Sequence, residues 1–115
     1  MRLLICGSRN WKDRKAILQA VEELNPSVII EGECRGADKL AASVAEELGI
    51  LVEKFPADWA RYGRQAGSIR NQQMLTEGKP DYVLAFPTSK SCGTWDMVRR
   101  AKKAGVETKV WERTT

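Results

Sequence analysis

The residues with the clearest chemistry lie in four polar stretches, each of which follows an apolar run. They are Gly7-Ser8-Arg9, Gly32 to Asp38, Pro56 to Asn71 and Pro87 to Asp96. Glycine lets an anion approach the backbone, hydroxyl groups donate hydrogen bonds, and arginine binds phosphate or carboxylate through two parallel N–H groups. If the fold brings these stretches together, they predict a site for a phosphorylated ligand.

The first, third and last stretches hold the best candidates for phosphate contacts. Gly93-Thr94 is the candidate cradle, although this pair alone is more typical of a helix start that Thr94 caps. Arg9 and Arg70 are the candidate charged contacts. Further donors come from three arginines that an exposed, solvated surface would also explain, namely Arg35, Arg61 and Arg64.

Polar and aromatic side chains in the middle stretches are candidates for contacts with a ribose or a base. Asp38 either caps the second predicted helix or accepts a hydrogen bond from a ribose hydroxyl or an amine. Asn71, expected in the first turn of the third helix, can read a base or bond locally to the backbone. Trp59 and Tyr62 can stack on a base. A large indole in a long loop usually anchors that loop, so we expect Tyr62 to be the stacking residue.

Any catalysis would have to proceed without histidine, the commonest general base, because the chain contains none. The candidate catalytic carboxylates are Asp38, Asp58 and Asp96. The three cysteines lack CxxC spacing, so the sequence predicts neither a disulfide framework nor a metal site. We expect Cys6 to be buried, and thiols gathered for metal or redox chemistry are a minor alternative. No cofactor is predicted.

The composition is typical of a globular protein. The 115 residues suit one domain over residues 1–115, and 43% hydrophobic with 30% charged residues can build a core. No apolar run suits a membrane helix or a signal peptide, so we expect a cytoplasmic protein with no membrane partner. The net charge of +4 suits a polyanion, but basic residues form no dense tract. Four tryptophans are compatible with a homo-oligomer.

Short apolar runs alternate with amphipathic segments, which predicts an α/β fold. Strands are expected at Arg2–Cys6, Ser27–Glu31, Ile50–Phe55, Asp81–Phe86 and Glu107–Trp111. Four helices are expected between them, the third starting near Gly67, and Pro56 to Ala66 is expected to be a loop. Because parallel strands need crossovers, we predict a single Rossmann-like three-layer domain with a five-stranded parallel sheet of order 3-2-1-4-5. Its ligand site should lie at the carboxyl ends of strands one and four.

Taken in order, the polar stretches also resemble a known family. The residues that carry the resemblance are Gly7-Ser8-Arg9 with Asp13, Gly32 with Gly36-Ala37-Asp38, Pro56-Ala57-Asp58-Trp59 with Tyr62-Gly63, Ala66-Gly67 with Arg70-Asn71 and Met74, Ala85-Phe86-Pro87, and Gly93-Thr94 with Asp96-Met97. They resemble the YspA/YpsA-related branch of the SLOG superfamily. The resemblance implies a Rossmann-like fold related to the Lonely Guy phosphoribohydrolases and DNA-processing protein A. It also implies a role with nucleotides or nucleotide-derived signals in bacteria or phages.

One departure from that superfamily bears on mechanism. Its phosphoribohydrolases carry Pro-Gly-Gly-x-Gly-Thr-x-x-Glu, whereas the stretch that begins at Pro87 here places Met97 at the position of the catalytic glutamate. Asp96 is one residue earlier, about 100° around a helix of 3.6 residues per turn, so it cannot simply replace that glutamate. The departure favours a binder or sensor over a hydrolase.

The sequence therefore leaves two function classes open and ranks a third last. The first is a domain that binds or senses a phosphorylated nucleotide or nucleotide-derived small molecule. Its expected contacts are Gly7, Ser8, Arg9, Gly32, Gly36, Asp38, Tyr62, Arg70, Asn71, Gly93 and Thr94. The second is a nucleotide N-glycosidase, a phosphoribohydrolase-like enzyme in which a carboxylate steers water. A nucleic-acid-binding module ranks last because the positive charge is not concentrated on one helix.

Overall fold

The computed structural model describes residues 1–89 and 91–111. The strands are β1 (Arg2–Gly7), β2 (Val28–Glu31), β3 (Leu51–Lys54), β4 (Tyr82–Phe86) and β5 (Glu107–Val110). The helices are α1 (Arg14–Leu24), α2 (Ala37–Leu48), α3 (Trp59–Tyr62), α4 (Ala66–Thr76) and α5 (Cys92–Lys103). A 3₁₀ turn at Gly63–Gln65 joins α3 to α4.

The five strands form one parallel sheet of order β3-β2-β1-β4-β5, which confirms the predicted topology. Leu4 of the central strand β1 is in register with Ile30 of β2 and Val83 of β4. All three side chains are fully buried, as expected for a sheet that helices cover on both faces. The strand order reverses between β1 and β4, so a crevice opens at their carboxyl ends.

The two faces of β1 build two separate apolar cores, because successive side chains of a strand point to opposite faces. Leu3 and Ile5 pack in the core that α1 and α2 cover, and Leu4 and Cys6 pack in the core that α4 and α5 cover. Met97 is fully buried in the second core. Within residues 1–89 and 91–111, no helix is long and apolar enough to cross a membrane.

The loop predicted from Pro56 to Ala66 is the main point at which the structure differs from the sequence-based expectation. Asp58 accepts a hydrogen bond from the N–H of Arg61 at 3.1 Å and so caps the one-turn helix α3. One turn is too short for apolar residues to show a helical period, which is why the pattern was missed. None of the residues in α3 or the 3₁₀ turn is buried.

Candidate functional site

A pocket of about 520 Å³, here called the main pocket, opens at the carboxyl ends of β1 and β4. Eight of the predicted contacts line it: Gly7, Ser8, Arg9, Asp38, Arg70, Asn71, Gly93 and Thr94. Gly32, Gly36 and Tyr62 are not part of this lining. Of the candidate catalytic carboxylates, Asp38 and Asp96 line the main pocket, whereas Asp58 lies in a neighbouring groove.

Gly7, at the end of β1, and Gly36, directly before α2, allow the loops after β1 and β2 to pack against each other. A Cβ atom on Gly36, which has φ of +79°, would overlap backbone atoms of Ser8 and Arg9. A Cβ atom on Gly7 would overlap the side chain of Ala37. The N–H of Ala37 also donates to the carbonyl oxygen of Ser8 at 3.1 Å. These two glycines therefore set the distance between the loops rather than leaving room for a ligand.

The N-terminus of α5 is arranged differently and faces the main pocket. Its N-cap residue is Ser91, not Thr94 as the sequence suggested, and Ser91 makes no capping hydrogen bond to the helix. The hydroxyl of Ser91 is instead occupied, because its Oγ accepts from the N–H of Thr88 at 2.8 Å. A Cβ on Gly93, in the first turn, would meet no atom within 4 Å. Helix-start N–H groups have no intrahelical acceptor, so this turn is open to an anion.

Two other long helices that begin at this edge, α1 and α2, have an acidic side chain at or near their N-termini. The helix α4 has neither a cap nor an acidic first turn, but the 3₁₀ turn runs directly into it and the N–H of Ala66 donates to the carbonyl of Gly63. Asp13 caps α1 by accepting from the N–H of Ala16 at 3.1 Å. In α2 the N-cap is Gly36 rather than Asp38, and the carboxyl of Asp38 lies within the first helical turn. The first turn of α5 contains no acidic residue. An anion at α5 would therefore meet the positive end of a helix dipole whose first turn carries no carboxylate.

Arg70 is a buried cation held in a fixed position. Its side chain is 9% exposed. Its Nη1 donates to the carbonyl of Gly32 at 2.6 Å and lies 3.6 Å from the Sγ of Cys34, and its Nε donates to Asn71 Oδ1 at 3.1 Å. A Cβ on Gly32 would overlap this guanidinium group, which explains the glycine at that position. Arg70 is thus oriented in the wall before any ligand arrives.

Asn71 joins Arg70 to the start of α5. Its Nδ2 donates to the carbonyl of Gly93 at 3.1 Å and to Asp96 Oδ2 at 3.0 Å. It lies in the second turn of α4 rather than the first, because that helix begins at Ala66, one residue before the expected start near Gly67. Both ends of the Asn71 amide are hydrogen-bonded, so Asn71 positions Arg70. A contact between Asn71 and a base stays a prediction.

Asp96 is the more heavily paired of the two carboxylates in the main pocket. Besides the amide of Asn71, its Oδ2 accepts from the Nε of Arg100 at 2.9 Å. Arg99 approaches the other oxygen at 3.9 Å. A carboxylate engaged by these donors is poorly placed to accept a proton from water.

Asp38 lines the main pocket, and the pKa of its carboxyl is raised. Its side chain is 6% exposed, and its Oδ2 accepts from the N–H of Cys34 at 3.2 Å. Burial raises the pKa of Asp38 to about 6, and the hydrogen bond from Cys34 and the positive charge of Arg70 limit that rise. At neutral pH a fraction of the molecules therefore carries a protonated Asp38.

A second buried carboxyl, Glu31, lies at the end of β2, and the sequence analysis gave it no role. It is fully buried; its Oε2 accepts from the N–H of Glu33 at 3.1 Å, and its Oε1 has no partner among the described residues. Burial raises the pKa of Glu31 to about 7, and the negative charge of Asp38 adds to the rise. The only signal in the sequence is an acidic residue directly after two isoleucines.

The aromatic side of the main pocket is formed by Trp59 rather than by Tyr62. Trp59 lines the pocket, is 47% exposed and lies 5.6 Å from the guanidinium carbon of Arg9, measured to the ring centroid. Tyr62 lies in the neighbouring groove, with the guanidinium of Arg61 at 5.0 Å. The expectation that an indole here would anchor the loop inside the core does not fit this exposure.

All three cysteines line the main pocket. Cys6 is buried, as expected, and burial raises the pKa of its thiol. Cys34 is half-buried and Cys92 is exposed. Among the described residues, no group of three or more His, Cys, Asp or Glu side chains is placed to hold a metal ion.

Comparison with known proteins identifies the family. Residues 1–62, more than half of the chain, match the model of the YspA, cpYpsA-related SLOG family. The chain belongs to this SLOG family. A relative, the gene 61 protein of Mycobacterium phage D29, is 41% identical, and the match covers 91% of this chain and 91% of that protein.

A solved structure gives the same fold as the SLOG chain. DNA processing protein A (DprA) from Streptococcus pneumoniae superposes with a TM-score of 0.82 at 16% sequence identity. The match covers 98% of this chain and 50% of the DprA chain, so the SLOG chain spans half the length of that protein. At this identity the likeness shows the Rossmann-like fold alone.

Proposed function

We propose that the main pocket binds a phosphorylated nucleotide or nucleotide-derived small molecule, and that this SLOG domain acts as a ligand binder or sensor. The observation that carries the proposal is the uncapped, non-acidic first turn of α5, which opens onto the pocket at Gly93. Backbone N–H groups at a helix start bind phosphate without needing a particular side chain.

The charges around the main pocket support an anionic ligand. Four arginines line it, and of its two carboxylates Asp96 is already paired with Arg100. Asp38, the other carboxylate, is a suitable acceptor for a ribose hydroxyl. The lining residues that supply positive charge are Arg9, Arg35, Arg64 and Arg70. A phosphate at α5 and a ribose at Asp38 would place two adjacent groups of one nucleotide in the main pocket.

The test compares ligand binding by the wild-type protein with that of Gly93→Asp and Gly93→Asn variants. Purified protein is mixed with nucleoside monophosphates, ADP-ribose, NAD or cyclic nucleotides, and thermal shifts and chromatograms are recorded. The open space at Gly93 accepts either side chain. An added carboxylate favours the helix start but repels phosphate, so Gly93→Asp should keep the fold and lose the ligand-induced shift. Gly93→Asn, which has the same shape without the charge, should retain most of it.

Equal binding by the aspartate and asparagine variants would contradict a phosphate at α5. If no compound in the panel shifts the melting temperature of the wild-type protein, the proposed ligand class is wrong. Unchanged ligand on the chromatogram supports a binder or sensor.

The raised pKa of Asp38 favours one alternative, a nucleotide N-glycosidase. A carboxyl that titrates near neutral pH can exchange a proton with water or with a leaving base. Release of free base by the wild-type protein, abolished in Asp38→Asn while the thermal shift remains, would support this enzyme over a sensor. Asp58 and Asp96 fit this role less well, because one is outside the pocket and the other is paired.

A further inference from the structure

A second groove, here called the Tyr62 groove, lies against the main pocket. The residues that matter for its chemistry are Arg61, Tyr62, Ser68, Gln72 and Arg100. Ser68, in the first turn of α4, lines both the Tyr62 groove and the main pocket. The two cavities therefore share one boundary residue with a small side chain.

The chemistry of the Tyr62 groove suits a nucleobase. Tyr62 is 38% exposed, so part of its ring is accessible to a planar group. The guanidinium of Arg61 lies 5.0 Å from the ring centroid and adds positive charge at the ring face. Gln72 provides an amide, whose oxygen accepts from Arg100 Nη1 at 3.1 Å and whose nitrogen donates to Thr76 Oγ1 at 3.2 Å, so a base edge would have to replace one of these bonds. Amides and arginines are the side chains that read base edges by hydrogen bonding.

Cations border both cavities near the place where they meet. Arg61 lines the Tyr62 groove and Arg64, three residues later, lines the main pocket. Both belong to the exposed α3 and 3₁₀ segment. Arg100 lines the Tyr62 groove and pairs with Asp96, which lines the main pocket. A phosphate that links two nucleotides would lie near Arg61 and Arg64, since Arg100 is already paired with Asp96.

We propose that the main pocket and the Tyr62 groove together bind two nucleotides joined through phosphate, with one base against Tyr62. The inference rests on the proposed function, since it places the first nucleotide in the main pocket. It adds a ligand class, a free dinucleotide, and it assigns specificity for that class to Tyr62.

The experiment measures affinity by titration calorimetry for mononucleotides and for 5′-phosphorylated homodinucleotides of adenine, guanine, cytosine and uracil. For the base that binds best, the homodinucleotide should bind more tightly than the mononucleotide. Tyr62→Ala should weaken the dinucleotide by about 5- to 150-fold, the range expected for loss of one stacked base, and leave the mononucleotide unchanged. Tyr62→Phe should restore most of the difference. Trp95→Ala removes an equally exposed aromatic outside both cavities and should change neither affinity.

Each other outcome overturns a defined part of the proposal. If Gly93→Asp removes mononucleotide binding but the dinucleotide binds no tighter, or Tyr62→Ala has no effect, the Tyr62 subsite is wrong and the proposed function stands. If none of the compounds binds, both proposals fail. If a ten-nucleotide single strand binds far more tightly than any dinucleotide and the affinity falls steeply with salt, the ligand is a nucleic-acid strand and not a free dinucleotide.

Discussion

The main pocket has two walls, each formed by part of a longer segment, and the two segments are built in opposite ways. The inner wall, Gly32–Asp38 with Arg70 and Asn71, holds buried charges whose hydrogen bonds join β2, α2, α4 and α5. The outer wall, Trp59–Gln65, contains no buried residue. The inner wall is therefore part of what stabilises the fold, so a substitution there changes stability as well as any ligand contact. The outer wall can be changed with little effect on folding.

Two glycines allow this comparison to be measured directly, and they give the largest expected effect. Gly36 of the inner wall has φ 79° and ψ −129°, and Gly63 of the outer wall has φ 57° and ψ −131°. Replacement by alanine strains the backbone at both, by about 1–3 kcal/mol. Only at Gly36 would the new Cβ overlap neighbouring atoms, which adds about 1–3 kcal/mol. Urea denaturation should therefore show Gly36→Ala as clearly the less stable variant.

Because Gly36 and Gly63 have similar backbone angles, Gly63→Ala is a matched control for backbone strain. The difference in unfolding free energy between the two variants therefore measures the steric overlap at Gly36. Equal losses of unfolding free energy would mean that the contact between Gly36 and the loop after β1 is not tight in solution. The description of the inner wall as closely packed would then be wrong.

Titration of Glu31, which directly precedes the inner wall, gives the next largest effect. The pKa of Glu31 is about 7 in the folded protein, above its ordinary value of 4.5, so folding favours the protonated form. Ionising Glu31 in the folded protein lowers the unfolding free energy. This loss is absent below about pH 4.5, grows as the pH rises and is complete above about pH 7. Glu31→Gln should thus raise the unfolding free energy by about 1–3 kcal/mol at pH 8 and by little at pH 4.

An acid at the edge of the same loop supplies a control of opposite sign. Lys54 and Lys39 lower the pKa of Glu33, so its contribution to stability is present at neutral pH and is lost as the solution becomes acidic. Glu33→Gln should therefore destabilise at pH 8 and not at pH 3. Unfolding curves followed by circular dichroism across this range check both variants. A gain for Glu31→Gln that does not vary with pH would show that Glu31 is not buried as an acid.

The fold and most of the inner wall could be predicted from the sequence because both follow from strong local patterns. The continuous apolar run of β1 indicates a central buried strand, and parallel strands connected by helices bring their carboxyl ends to one edge. Gly7, Ser8 and Gly93 reach the main pocket for that reason. Residues at the end of a strand need no knowledge of side-chain packing to be placed there.

The outer wall could not be predicted in the same way, because its geometry depends on contacts between distant segments. Whether Trp59 or Tyr62 faces the pocket is decided by a one-turn helix that Asp58 caps, and by the guanidinium of Arg9 beside the indole. No periodic pattern records such contacts. Glu31 was missed for a related reason, since an acid after an apolar run is ordinarily taken for the exposed end of a strand.

The contact between Arg9 and Trp59 gives the smallest expected effect and tests how firmly the outer wall is attached. The guanidinium lies 5.6 Å from the ring centroid and both side chains are exposed, so their interaction should contribute about 0.5–1 kcal/mol. A double-mutant cycle with Arg9→Ala and Trp59→Ala, measured by urea denaturation, isolates that coupling from the effects of each single change. A coupling near zero would mean that Arg9 does not hold Trp59 in the free protein. In that case the outer wall would have to be positioned by the ligand, and nucleotide affinity should fall more in Trp59→Ala than the loss of stability explains.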